Sequence, residues 1–455
     1  MLERTDRLPA ALDAYRSALE YDQHSPHLHT RVGAAYVKLG QPDKALEEFR
    51  EALRLDPTHA ETLRWMATIY ASQGRVDQAA AVYERLLALA PDDRFILSTL
   101  IELYNLQQTF DKAVPLYRRL IQQYGSSSQW HFQLGVLLGR MGRLEEALVE
   151  LSRALEEAPE APEVRVALGL TFHLQGRADQ AAAHYEEAIR LDPFNPRLYI
   201  LAGQAYEQDR RSDEAARNYQ AALDLRPHDL ETVMKLVRVW IIQQRFDRAE
   251  SLIAQKLIEL DRPPQLYVIL GILYREAEHS AEAVRAFEQA VALDGDYAQA
   301  HFYLADQLER LDRREAARER LRRTIELDHY HADALNYLGY LDADAGINLK
   351  EAKALIERAL QLDPTNGAYM DSLGWVYYRM GRVQDAVTTL EQAVELFDTD
   401  PIIFDHLGDA YLAVGDLKRA LRSWERALEL DLEQPMVREK LERFGREATV
   451  NHHPR

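Results

Sequence analysis

Apolar residues recur along this chain at i, i+3, i+4 and i+7, the spacing that gathers them on one face of an α-helix. The helical stretches are short, and glycine or proline interrupts them at regular intervals. A fixed slot repeats every 34 positions: Gly33, Ala67, Ile101, Gly135, Gly169, Gly203, Val237, Gly271, Ala305, Gly339, then, after one extra residue, Gly374 and Gly408. Twelve positions after each comes an alanine, from Ala45 and Ala79 through Ala215 and Ala283 to Ala386 and Ala420, with Ala352 thirteen after Gly339 because the extra residue falls between them, and Ala11 extends the series backward by half a unit. Three residues after the slot an aromatic stands in nine of twelve units, Tyr36, Tyr104 and Trp240 among them. Four after the alanine comes a bulky residue such as Phe49, Tyr83 or Trp424.

The pattern predicts two helices per unit. Small residues in the first slot and at the first alanine let the paired helices approach, and the aromatics fill the wider gap beside them. Glycine between the halves (Gly40, Gly74, Gly142, Gly176, Gly346, Gly381 and Gly415) supplies the left-handed residue that ends the first helix. Proline (Pro57, Pro91, Pro159, Pro193, Pro227 and Pro364) closes the second. One pair cannot bury its apolar face alone, so pairs must stack on one another.

Glycine, aromatic, alanine, bulky residue, alanine and proline at this spacing resemble the tetratricopeptide repeat over about residues 8–434. The resemblance implies an all-α, right-handed superhelical solenoid of helix-turn-helix repeats, with first helices lining a concave surface and second helices outside. The expected division is an N-terminal half repeat at 1–25, twelve tandem units at 26–434, a capping helix at 435–444 and a flexible tail at 445–455. Three seams depart from the pattern. Gly125-Ser126-Ser127-Ser128 replaces a proline turn, Lys256 takes a small-residue slot before Asp261-Arg262-Pro263-Pro264, and Asp342 stands where an aromatic belongs.

Composition narrows the function. The chain of 455 residues has a net charge of −19, which repels phosphate backbones and argues against nucleic acid as a partner. It has no cysteine, hence no disulfide, thiolate metal site or thiol nucleophile. No run is long and apolar enough to span a membrane, and Met1-Leu2-Glu3-Arg4-Thr5-Asp6-Arg7 lacks the apolar core of a signal peptide. The chain as it begins here is therefore expected in the cytoplasm, or at the periplasm or outer membrane if further sequence precedes it.

Catalytic constellations are missing: no Gly-rich phosphate loop, no His-Glu-x-x-His, no nucleophile elbow. The histidines His24, His27 and His29, and His329 and His331 around Tyr330, sit at spacings that point them apart, which predicts solvated turn residues rather than a metal site. No cofactor and no metal are expected. Arg313, Arg314, Arg318, Arg320, Arg322 and Arg323, interleaved with glutamates, predict a solvated outer helix.

Positions expected to face the groove are apolar in the middle units (Phe132, Val136, Val166, Leu170, Ile200, Leu201, Met234, Val268 and Ile272). In the last three units they become Asn336, Tyr337, Tyr340, Asp371, Ser372, Trp375, Tyr378, Asp405, His406 and Asp409. Aromatics beside hydrogen-bonding groups suit an extended peptide, because rings give contact area at little entropic cost. The competing reading has Tyr340, Trp375 and Tyr378 only packing between neighbouring first helices. The chaperone-tail clamp of some relatives needs Lys and Asn where this chain has Thr30 and Ala34. With Asp371, Asp405 and Asp409 present, a neutral or cationic segment fits better than a carboxylate tail.

The stretches Leu335–Tyr340, Gly346–Leu349, Asn366–Trp375 and His406–Asp409 further resemble the C-terminal repeats of bacterial tetratricopeptide scaffold proteins, some of them envelope lipoproteins. Two functions follow as expectations. The first is a non-catalytic scaffold binding a protein segment in its concave groove. The second is an adaptor delivering substrates to a bacterial enzyme, such as a carboxyl-terminal processing protease, or to an envelope or polysaccharide assembly machine.

Overall fold

In a computed structural model, described here for residues 8–450 and for side chains to residue 445, α-helices joined by short turns make up the described chain. The seven residues before Leu8 and the end of the expected tail lie outside the described residues. Twenty-six helices, the first Leu8–Tyr21 and the last Pro435–Val450, follow one another among the described residues, mostly 13 or 14 residues each. They fall into two compact units, Met1–Pro227 and His228–Arg455.

Within each unit the repeat slots do what their size dictates. The alanine slot is sealed: Ala45, Ala113, Ala215, Ala317 and Ala420 are all fully buried. The glycine slot faces the bulky residue of its own unit's second helix. A Cβ on Gly203 would lie 2.6 Å from the Tyr219 ring, and one on Gly374 would lie 2.6 Å from Leu390 Cγ. That is closer than real methyl contacts allow, so the ring or leucine fills the space the side chain vacates.

Between paired helices, every turn has a residue with positive φ. Seven are the glycines the sequence marks, from Gly40 (φ 71°) to Gly415 (φ 87°). Five are not glycine: Gln108, Arg210, Gln244, Glu278 and Asp312, with φ between 57° and 62°. The turn geometry belongs to the repeat, and these five residues accept a left-handed backbone to keep it.

Neighbouring repeats are also tied by a hydrogen bond from the aromatic slot to the preceding second helix. Tyr104 donates to Glu84 at 2.7 Å and Tyr411 to Glu391 at 2.6 Å. Tyr206 does the same to Glu186, and Tyr36 accepts from Arg16.

Two departures from the sequence expectation concern charge. Arg318, expected on a solvated face, is 3% exposed. Its Nε lies 2.9 Å from Asp342 Oδ1, and its Nη2 donates to the Leu341 carbonyl at 3.1 Å. Asp342 itself is 1% exposed and accepts from Asn348 at 3.3 Å. The misplaced acid and the arginine are thus one buried pair, which explains why no aromatic stands there. Lys256 is likewise buried in its small-residue slot, with its ammonium 2.5 Å from Glu259, and consecutive left-handed residues Asp261 and Arg262 follow.

Candidate functional site

The groove positions of the last units lie on first helices Ala332–Ala345, Gly367–Arg379 and Pro401–Ala413, followed by Pro435–Val450. The structure draws five of them into one cluster. His406 Nδ1 donates to both carboxylate oxygens of Asp371 at 3.0 Å, and both residues are more than nine-tenths buried. Trp375 stacks on His406 with centroids 4.2 Å apart and planes 17° off parallel. Tyr378 also stacks on Trp375, with centroids 4.9 Å apart, and the Tyr340 ring lies 6.3 Å from His406.

Electrostatics lock this cluster. Burial works against a charged imidazole, yet the Asp371 charge and hydrogen bond outweigh it and hold His406 above the usual histidine range. Burial, then the charges of Asp344 and Asp371, pushes the Tyr340 phenol up to about 12. The Tyr378 phenol is raised by burial first and the Asp409 charge second.

Asp405 and Asp409 form a second pair of walls, partly exposed, and Lys440 of the last helix lies 2.7 Å from each. Burial pushes the Asp409 carboxyl up, against the opposing hydrogen bond from Lys440. The acidic slot expected to attract a cation already holds one from the chain itself. Lys440 follows His406 by 34 positions, so Asp371–His406 and Asp405–Lys440 are the same contact one repeat apart. The signal was in the sequence, because the repeat register runs on into the last helix.

Asn336 and Tyr337 stand apart from the cluster. Tyr337 turns toward the preceding unit, donating to Glu309 at 3.2 Å with its ring edge-on to Phe302. Asn336 is partly buried, and its Oδ1 has no hydrogen-bond partner; the same holds for Trp375 Nε1. Ser372 is buried and donates to the Ala368 carbonyl within its own helix.

In the first unit, Phe132, Val136, Val166, Leu170 and Leu201 line one open groove of about 400 Å³ across helices Ser128–Arg140, Pro162–Leu174 and Pro196–Gln208. Val136 and Leu170 are 38% and 39% exposed, so this apolar surface faces solvent. Its rim carries Glu163, Asp192 and Arg197. In the second unit Ile272 lines a separate hollow with Ile242 and Tyr303, whereas Val268 is buried and unavailable to a groove. No group of three or more histidines and carboxylates able to hold a metal occurs among the described residues. None of the described helices is long and apolar enough to cross a membrane.

Helix pairs at fixed register, open first-helix faces and sealed alanine slots define an all-α repeat scaffold. Tetratricopeptide repeat profiles match residues 36–100 and 344–405, and 132–196, 200–265 and 270–315, and the chain belongs to the tetratricopeptide repeat family. Such repeats are typically non-catalytic, and this chain is a protein-interaction scaffold rather than an enzyme. It is 31% identical over 159 residues to the TPR repeat-containing protein PA4667 of Pseudomonas aeruginosa. That match covers 34% of this chain and 25% of the relative. Among solved structures it is similar to the APC/C assembly Cut9–Hcn1 (14% identity, TM-score 0.47, covering 96% of this chain and 93% of that one). It is also similar to Naa15/Naa10 bound to HypK-THB (18% identity, TM-score 0.49, covering 93% and 66%).

Proposed function

We propose that this scaffold binds an extended, neutral or cationic segment of another protein along its first-helix face, with the apolar groove of the first unit as the principal seat. The solvent-facing stripe of Phe132, Val136, Val166, Leu170 and Leu201 carries this reading. Covering exposed apolar side chains releases water at about 25 cal/mol per Å², the dominant favourable term in such association. The charge preference rests on two carboxylates against one arginine at the rim and on the net charge of −19.

The C-terminal cluster is the second seat, favoured by the partly exposed rings of Tyr340 and Tyr378 beside Asp405 and Asp409. There Asp371, Trp375 and His406 act as the wall that fixes those rings. In this reading the units from 26 to 434 form the binding array and the last helix closes it.

A displayed random-peptide library, selected on the intact chain, tests the proposal. Bound peptides should be apolar with neutral or basic flanks, and Leu170→Asp should abolish their binding while its circular dichroism spectrum matches the parent. Peptides that bind Leu170→Asp unchanged but are lost with Tyr340→Ala/Tyr378→Ala would move the seat to the C-terminal cluster. Acidic consensus peptides would sink the charge argument.

A further inference from the structure

The histidines of the first turn have a partner that lies one repeat away. His59 Nε2 is 3.1 Å from His27 Nδ1, with ring centroids 4.6 Å apart and planes nearly perpendicular. His27 is the second residue of helix Pro26–Lys38, and His59 is the N-cap of helix Ala60–Ser72. The stack thus brings two imidazole nitrogens from successive first helices to the same point.

Buried threonines fix the tautomer of one ring. Thr30 Oγ1 donates to the Pro26 carbonyl at 2.8 Å, which uses its only proton. It can then only accept from Thr62 Oγ1 at 2.6 Å, which uses that hydroxyl's proton in turn. Thr62 must therefore accept from His59 Nδ1, 2.8 Å away, so His59 carries its proton on Nδ1 and a lone pair on Nε2. Thr30 and Thr62 are 1% and 0% exposed, so water does not compete for this relay. His27 is exposed and free to turn, whereas neighbouring His29 is engaged by Glu48 at 2.8 Å.

We propose that His27 and His59 form a two-histidine site for a divalent transition-metal ion such as Zn²⁺, with water completing the coordination. Two nitrogens, each about 2.1 Å from one ion, lie roughly 3.0–3.4 Å apart at ordinary coordination angles, which matches the separation found here. Histidine ligands characteristically donate their other ring N–H to an outer partner that fixes orientation, and Thr62 fills that role for His59. His27 meets the ion by moving its proton from Nδ1 to the solvent-facing Nε2, so a neutral ring gains a lone pair with no change in charge. Asp56 adds a nearby negative charge. Hydrogen bonds from Thr58 hold its carboxyl below the usual range. The ion would clip successive repeats together at their first helices.

Isothermal titration of the full chain with Zn²⁺ tests this, in a background with His452→Ala/His453→Ala so that the adjacent histidines near the C-terminus do not contribute. One ion per chain should bind, with affinity at least about tenfold weaker in His27→Ala and in His59→Ala. Thr62→Val should weaken binding about 10–100-fold while leaving both ligands in place, the usual loss for an outer partner. Because the His27 ring is exposed, His27→Ala should fold as the background does and keeps the test decisive. Equal Zn²⁺ binding by the background and His27→Ala, or no binding by the background at millimolar Zn²⁺, would overturn the proposal.

Discussion

At the residue scale, the repeat imposes geometry on whatever side chain occupies a slot. Arg210 shows this at the turn: it is exposed, yet its backbone is left-handed at φ 58° because the turn requires it. A left-handed L-residue costs roughly 1–2 kcal/mol, while glycine loses about 0.5–1 kcal/mol of unfolded-chain freedom. Arg210→Gly should therefore stabilise the first unit by about 0.5–1 kcal/mol. Ala215→Leu, five residues on, should do the opposite. Ala215 is fully buried, so extra methyl groups have nowhere to go and overpacking costs roughly 1–3 kcal/mol. Urea denaturation of both variants checks the pair; a stabilised Ala215→Leu would mean that the slot is not a helix contact.

At the scale of the element, pairing between second and first helices decides which departures from the repeat are tolerated. Asp342 breaks the aromatic pattern, and its consensus replacement would be tyrosine. That change should fail, because it removes the buried partner of Arg318 and leaves it only the exposed Glu315, and removing one partner of a buried pair costs about 3–5 kcal/mol. Arg318→Leu/Asp342→Tyr should recover most of the loss, since an apolar replacement of the whole pair is often neutral or better. Thermal melts of the single and double variants decide it. A stable Asp342→Tyr would show that the arginine escapes to solvent. The same pair marks the limit of what the sequence reveals. Slots set by size were legible: the alanines, glycines and groove-facing Phe132, Val136 and Leu170 all sit where their period places them. Contacts between units were not. Arg318 with Asp342, Tyr104 with Glu84 and His27 with His59 join residues 20 to 32 apart on different helices. Periodicity gives a residue's face but not the reach of its side chain. At the C-terminal cluster the sequence identified the residues and left open whether they pack or bind. Asp371 and His406 are buried because they satisfy each other's polar atoms across repeats, and Trp375 is buried by stacking on His406.

At the scale of the whole molecule, nearest-neighbour stacking implies that a perturbation stays local, since each repeat contacts little beyond the adjoining ones. His406 offers a probe, because acid or base changes its charge without altering the chain. Its folded pKa is raised above the unfolded value, so the folded state binds the proton more tightly. The stabilisation is fully present below the unfolded value of about 6.5 and is lost as pH rises through the higher folded value. The facing charges are Asp371 across the groove and Asp405 and Asp409 on its own helix, all of which favour the protonated ring. Hydrogen exchange, corrected for intrinsic rates, should show helices Gly367–Arg379 and Pro401–Ala413 losing protection as pH rises from about 6 to 9. His406→Gln should remove that dependence, because the amide does not titrate in this range. Helices of the first unit, such as Pro162–Leu174, contain none of this network and should show no His406-dependent change. If His406→Gln altered their pH profile as strongly as that of Pro401–Ala413, stability would be shared across the chain and the nearest-neighbour description would fail.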